Sequence, residues 1–244
     1  TQNPVTLADL KVNDIVVQRI NEKYKDISWE ILTEENEKDP TKFCNKNADW
    51  MWVLDPLDGT KDFIQKTGYF AVHLALNFMK KPIIGMVLLP TKDELWIANG
   101  TKVWCEDHNG FKRDPNLSSA IDLREMTIVS SKNHSNKVLK DLIEKIGFKK
   151  TIVMGSIGCK VATILRGEAD IYIALSLPGK SAPKDWDFAA PLAILEQAGG
   201  AITDIENNPL VFCGSEFRQE GLIIATNNKN NHKNICLEIK KVIQ

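Results

Sequence analysis

Asp55 and Asp58 stand three residues apart in the run Trp52-Val53-Leu54-Asp55-Pro56-Leu57-Asp58-Gly59-Thr60-Lys61-Asp62-Phe63. The apolar lead-in reads as a buried strand that stops in a turn, because Asp-Pro followed by Asp-Gly is strong turn punctuation. Pro56 fixes one φ angle, and Gly59 permits a backbone angle that other residues resist. Two carboxylates converging on a rigid turn suit a hard cation, which takes oxygen ligands. The same letters also spell an ordinary polar turn. A second stretch, Gly155-Ser156-Ile157-Gly158-Cys159-Lys160, opens a helix with small residues and free amides, which favours an anion. Its plain alternative is a glycine-eased helix start with an exposed lysine.

Other charged residues have structural readings when taken alone. Asp9 follows Thr6 by three residues and fits a capping box. Glu34 and Glu35 read as solvated charge. Asp187 precedes the helical run Phe188–Gln197 and fits an N-cap aspartate. His134 reads as a loop histidine. Asp62, Lys180 and Lys184 are weaker candidates that could border a phosphate pocket, with solvated residues as the default reading.

These residues need elements to hold them. A helix is expected from Thr6 to about Tyr24, and a short strand at Trp29–Leu32. Residues 37–49 read as a surface loop. After the Asp55 segment, strands are expected at Phe70–Phe78, Ile83–Leu89, Glu94–Ala98 and Lys102–Cys105, joined by tight turns into an antiparallel sheet. A loop covers 107–119. From Met126 onward strands and helices alternate: strand 126–129, helix 136–146, strand 151–154, helix 157–166, strand 169–174, helix 188–198, strands 201–204 and 222–225, and helix 230–243. Such alternation means helices covering a sheet. Two sections follow, 1–120 with the antiparallel sheet and 121–244 as an α/β layer.

The 244 residues suffice for a sizeable core. A formal net charge of -1 gives no general nucleic-acid or membrane surface. No apolar run reaches the roughly 18 residues that span a bilayer. The five cysteines are odd in number and scattered, without zinc spacing, which suits reduced thiols in a cytoplasmic protein.

Asp-Pro-Leu-Asp-Gly-Thr at 55–60 resembles the signature of the inositol monophosphatase family of magnesium-dependent phosphatases. The continuation Lys61-Asp62-Phe63 is more similar to the 3'(2'),5'-bisphosphate nucleotidase branch. Four further segments are similar to family motifs: Pro4-Val5-Thr6-Leu7-Ala8-Asp9, Glu34-Glu35, Gly155 to Lys160, and Trp186-Asp187-Phe188-Ala189-Ala190 with Gly199-Gly200 beyond it. Ser131-Lys132-Asn133-His134 looks like the branch's Ser-Arg-Ser-His, departing from it at Lys132 and Asn133. The chain starts at Thr1 inside a motif, and the resemblance implies a helix before that point.

The resemblance implies an alternating α-β-α-β-α layered sandwich of the inositol monophosphatase/fructose-1,6-bisphosphatase type, combining α+β and α/β sections. It implies two or three Mg²⁺ ions held by Glu34, Asp55, the Leu57 carbonyl, Asp58 and Asp187, with Asp55 bridging and Glu35 behind Glu34. Asp9, Thr60 and Glu34 would serve the attacking water. Gly59, Thr60, Ser131, His134, Ser156, Lys160 and Asp187 would meet the substrate. The implied reaction removes the 3'-phosphate of adenosine 3',5'-bisphosphate, leaving AMP and phosphate, with a role in sulfur assimilation. Rival readings are an inositol monophosphatase or broad sugar phosphatase, and an inactive nucleotide- or metal-binding protein. Partners are a small phosphate ester, with no nucleic-acid polymer and no membrane, on a monomer or homodimer.

Overall fold

The computed structural model describes residues 5–37, 48–132, 137–177 and 179–243. Helix α1 (Leu7–Lys23) starts with the expected capping box: Thr6 Oγ1 accepts from Ala8 N, and Asp9 Oδ2 accepts from Thr6 N at 2.8 Å. Strand β1 (Glu30–Thr33) runs into the short helix α2 (Glu34–Glu37). Then come β2 (Trp50–Asp58), α3 (Thr60–Ile64), β3 (Ala71–Phe78), β4 (Lys81–Leu89), β5 (Glu94–Ala98), β6 (Val103–Glu106) and β7 (Lys112–Arg113). These seven strands form one sheet in chain order, with β1 parallel to β2 and the others antiparallel. The loop expected at 107–119 thus contributes a two-residue edge strand.

The second half contains β8 (Thr127–Ser131), α4 (Lys137–Ile146), β9 (Lys150–Met154), α5 (Ile157–Leu165), β10 (Ile171–Ser176), α6 (Asp185–Gln197), β11 (Ala201–Asp204), β12 (Gly221–Thr226) and α7 (Lys229–Ile243). Its five-stranded sheet has the order β11-β12-β10-β8-β9, in which β12 runs antiparallel to both neighbours.

Side-chain alternation assigns the layers. Trp52 and Leu76 face α1, where Ile20 and Val16 pack against them. Met51, Val53, Ala71 and Ala75 point the other way, into a core shared with α5, α6 and the inner face of the second sheet. Helix α6 lies so close to β4 that a Cβ on Gly85 would come within 2.7 Å of the Ala190 carbonyl. Helices α4 and α7 bury Leu139, Leu142, Ile235 and Ile239 against the outer face of the second sheet. The order is α1, first sheet, α5 with α6, second sheet, α4 with α7: the expected α-β-α-β-α sandwich. The four described cysteines, Cys105, Cys159, Cys213 and Cys236, are buried and form no disulfide with one another. Among the described residues, no helix is long and apolar enough to cross a membrane.

One histidine makes this packing acid-sensitive. His232 on α7 is buried between Thr226 Oγ1, 2.8 Å from Nδ1, and Thr203 Oγ1, 2.7 Å from Nε2. Burial pushes its imidazole down from 6.5 to about 4. The folded chain holds the neutral ring, so this contribution is complete above the unfolded value and is lost as pH falls from 6.5 towards 4. The loss amounts to roughly 3 kcal/mol. Melting curves between pH 7.5 and 4 should show the native protein losing about that much more stability than His232→Gln; parallel losses would refute the assignment.

Candidate metal centre

In a regular strand, residues three apart point to opposite faces. Strand β2 avoids this. Asp55 pairs with His73 and Asp58 with Ala71, so two residues on β2, Pro56 and Leu57, oppose one on β3, Val72. This is a β-bulge, and the extra residue turns both carboxylates to the α6 side. The strand therefore does not stop in a turn at Asp55, as its sequence suggests, but bulges and runs on to Asp58. Gly59 follows at φ +90°, where a Cβ would meet the Tyr69 carbonyl at 2.7 Å.

The remaining acids arrive from elsewhere. Helix α6 begins at Asp185, so Asp187 is its third residue and not its N-cap, and its Oδ2 accepts from the N-cap amide, Lys184 N, at 2.6 Å. Asp55, Asp58 and Asp187 each bring a ligand atom within 4.8 Å of the other two. Glu34, placed by β1 at the start of α2, lines the same cavity. Burial first, then the charges of Glu34, Asp58 and Asp187, push the Asp55 carboxyl well above its ordinary range. Burial and Asp58 do the same to Asp187. Clustered acids like these favour either a retained proton or a cation. The donors are all oxygen, which fits a hard divalent ion such as Mg²⁺.

Around this cluster, Thr60 Oγ1 lies 3.0 Å from the Leu57 carbonyl and 3.3 Å from Asp9 Oδ1. Asp9 thus caps α1 and reaches Thr60 with its second oxygen. The start of α5 grips Asp58: Ser156 Oγ donates to Asp58 Oδ2 at 2.6 Å, and Gly158 N donates to the same oxygen at 3.0 Å. Ser156 holds φ at +55°, a strained angle for a residue with a side chain.

A cavity of about 610 Å³ opens over the acids and is lined by Gly59, Thr60, Ser131, Ser156, Lys160 and Tyr172 as well. Lys160 is 3% exposed, and its ammonium sits 4.9 Å above the Tyr172 ring. Burial lowers its pKa, while Asp58 opposes the shift.

A model of the inositol monophosphatase family matches residues 1–244. The chain belongs to the inositol monophosphatase family. It is a phosphoric monoester hydrolase of that metal-dependent family. Among curated relatives, the 3'(2'),5'-bisphosphate nucleotidase CysQ of Shigella flexneri is 30% identical over 214 residues, covering 88% of this chain and 81% of that one. The Buchnera aphidicola CysQ nucleotidase is 34% identical, covering 82% of this chain and 70% of its own length. Among solved structures, the inositol monophosphatase from Anabaena superposes with a TM-score of 0.77 at 23% identity, covering 97% of this chain and 87% of that one.

Within this family member, several sequence candidates have other work. The Asp62 carboxylate accepts from Thr67 Oγ1 at 2.7 Å and stands 3.7 Å from Lys132 Nζ. A Cβ on Gly155 would come within 2.2 Å of it. Lys184 Nζ donates to Glu37 Oε1 at 3.2 Å and to the Glu216 carbonyl at 2.5 Å. Lys180 lines the cavity rim, where Arg218 Nη2 donates to its carbonyl. His134 lies outside the described residues. His73 was not among the residues expected at the site, yet its buried ring sits 3.3 Å from Asp58 Oδ2. Its signal was an imidazole among the small residues Ala71 and Ala75 on the buried face of β3, which Asn77 continues.

Proposed function

We propose that this phosphatase removes the 3'-phosphate of adenosine 3',5'-bisphosphate, giving AMP and inorganic phosphate with Mg²⁺. The supporting observation is the pairing of two opposite poles in one cavity. Three carboxylates lie within 4.8 Å of each other, and a buried lysine faces the same space. A substrate with one phosphate to cleave and a second to hold fits both poles. The nucleotidase relatives, at 30% and 34% identity, favour a nucleotide over an inositol ester.

Glu34, Asp55, the Leu57 carbonyl, Asp58 and Asp187 would hold two or three Mg²⁺ ions. These ions would supply neutralisation of the phosphoryl charge and activation of water. Thr60 and Asp9 orient the attacking water: Thr60 lines the cavity, and Asp9 Oδ1 accepts a hydrogen bond from its hydroxyl. The amides of Gly59 and Thr60 open α3 towards the phosphoryl oxygens. Lys160 and the Ser131 side of the cavity take the phosphate that is kept. Ser156 holds Asp58, because its hydroxyl proton already points there. A cytoplasmic location and a role in sulfur assimilation accompany this reading.

Phosphate release from adenosine 3',5'-bisphosphate and inositol 1-phosphate, assayed side by side, tests it. We expect Mg²⁺-dependent turnover with kcat/KM at least about tenfold higher for the nucleotide, the discrimination available to a few well-placed contacts. A preference for the inositol ester would overturn the substrate assignment. Tight nucleotide binding without phosphate release would favour an inactive binding protein.

A further inference from the structure

His73 lies on β3 directly opposite Asp55 and is fully buried. Its two ring nitrogens face two acceptors. Nε2 is 3.3 Å from Asp58 Oδ2, and Nδ1 is 3.4 Å from the Trp186 carbonyl, the peptide oxygen immediately before Asp187. A neutral imidazole carries one N–H, so it serves one acceptor at a time. Nε2 has no aligned hydrogen-bond partner among the described residues. A buried polar atom left in that state costs about 1–3 kcal/mol, which an apolar side chain of similar size would avoid. Stability alone therefore does not account for a histidine here.

The ring is also the surface on which α5 begins. A Cβ on Gly158 would sit 2.2 Å from Nε2 and 2.8 Å from Val87 Cγ1. Only a bare backbone fits there, and its amide is the one that donates to Asp58 Oδ2. One imidazole thus touches the inner oxygen of Asp58, the start of α5 and the first turn of α6. Ser156 and Gly158 donate to that same oxygen.

We propose that His73 is a positioning residue: a rigid spacer between Asp58 on β2 and the Asp187-bearing turn of α6 that sets the gap an ion must bridge. The inference rests on the metal reading of the acidic cluster. It concerns no contact between His73 and substrate.

The test measures Mg²⁺ binding without substrate, by titration calorimetry, on the native protein, His73→Leu and His73→Gln. Partners that orient metal ligands typically contribute tenfold or more to affinity. We expect His73→Leu, with its fold checked by circular dichroism, to weaken Mg²⁺ binding about tenfold or more. Raising Mg²⁺ should restore most of its kcat, since the reacting groups are intact. His73→Gln retains a donor that can reach Asp58 and should lose less. If His73→Leu does not fold, the same titration on His73→Gln decides, with about a threefold loss as its expected mark. Native affinity in the folded variants would overturn the role of His73 while leaving the metal centre standing. A native protein that binds no Mg²⁺ would overturn the metal reading and this inference together.

Discussion

Replacing Asp55 by Asn is expected to abolish Mg²⁺-dependent phosphate release, lowering kcat by about 10³-fold or more. The substitution keeps shape and removes charge at the most crowded point of the acidic cluster. Asp55 is 1% exposed and feels Glu34, Asp58 and Asp187 together. Losing one preorganised electrostatic partner already lowers turnover by about 10²–10³-fold in other hydrolases. Asp55 is expected to exceed that, because the ions that would activate water depend on it. Asp187→Asn should behave alike. Asp185→Asn provides the contrast two residues away. Its carboxylate accepts from Cys213 N and Gln219 Nε2, both at 2.6 Å, and so fastens the chain beyond β11 to α6. That variant should melt earlier yet keep its Mg²⁺ requirement. Phosphate release at saturating Mg²⁺, with melting curves for all three, checks the set. Retained turnover in Asp55→Asn or Asp187→Asn would remove that residue from the mechanism.

The largest expected loss of stability comes from Glu94→Ala, far from the acids. Glu94 is buried on β5 and is approached by three donors: Arg113 Nη2 at 2.5 Å, Arg166 Nη1 at 2.8 Å and Trp96 Nε1 at 3.1 Å. It ties the β7 edge and the end of α5 to the first sheet. Removing one partner of a buried ion pair strands the other charge and typically costs about 3–5 kcal/mol. Arg113 is about half exposed and water screens it, so the lower end, about 3 kcal/mol, applies. For a chain of this size that corresponds to a melting point lower by roughly 10 °C. Glu94→Gln should fall between the two, since it keeps acceptors for Trp96 and one arginine. A thermal scan showing no change in Glu94→Ala would refute the clasp.

Much of this was legible in the letters, and the misses share a physical cause. The β-branched and aromatic runs at 70–78 and 83–89, divided by turn residues, announced strands, because such side chains suit a pleated, half-buried surface. Thr6 and Asp9 announced α1, because a capping box is satisfied within four residues. What failed depended on partners distant in the chain. Asp-Pro and Asp-Gly looked like a turn, but pairing with His73 and Ala71 makes the segment a bulged strand. Asp187 looked like the N-cap itself, but α6 starts earlier, at Asp185, which Cys213 and Gln219 hold, so Asp187 reaches the cap amide from the third position. Ser156 looked free to meet an anion, yet its hydroxyl goes to Asp58, which lies 98 positions away. The imidazole of His73 could be named from the sequence, but its burial between Asp58 and Trp186 is created only by packing.

The bulge in β2 has an evolutionary corollary. Pro56 and Leu57 have no register partner on β3, and the Leu57 carbonyl lies 3.0 Å from Thr60 Oγ1. In the proposed ligand set this oxygen belongs to the main chain, and every amino acid carries it. Selection at position 57 can act on the packing of the side chain, while the ligand itself is beyond the reach of any point mutation. That part of the centre is encoded by chain length and pairing, and drift in the neighbouring letters leaves it in place.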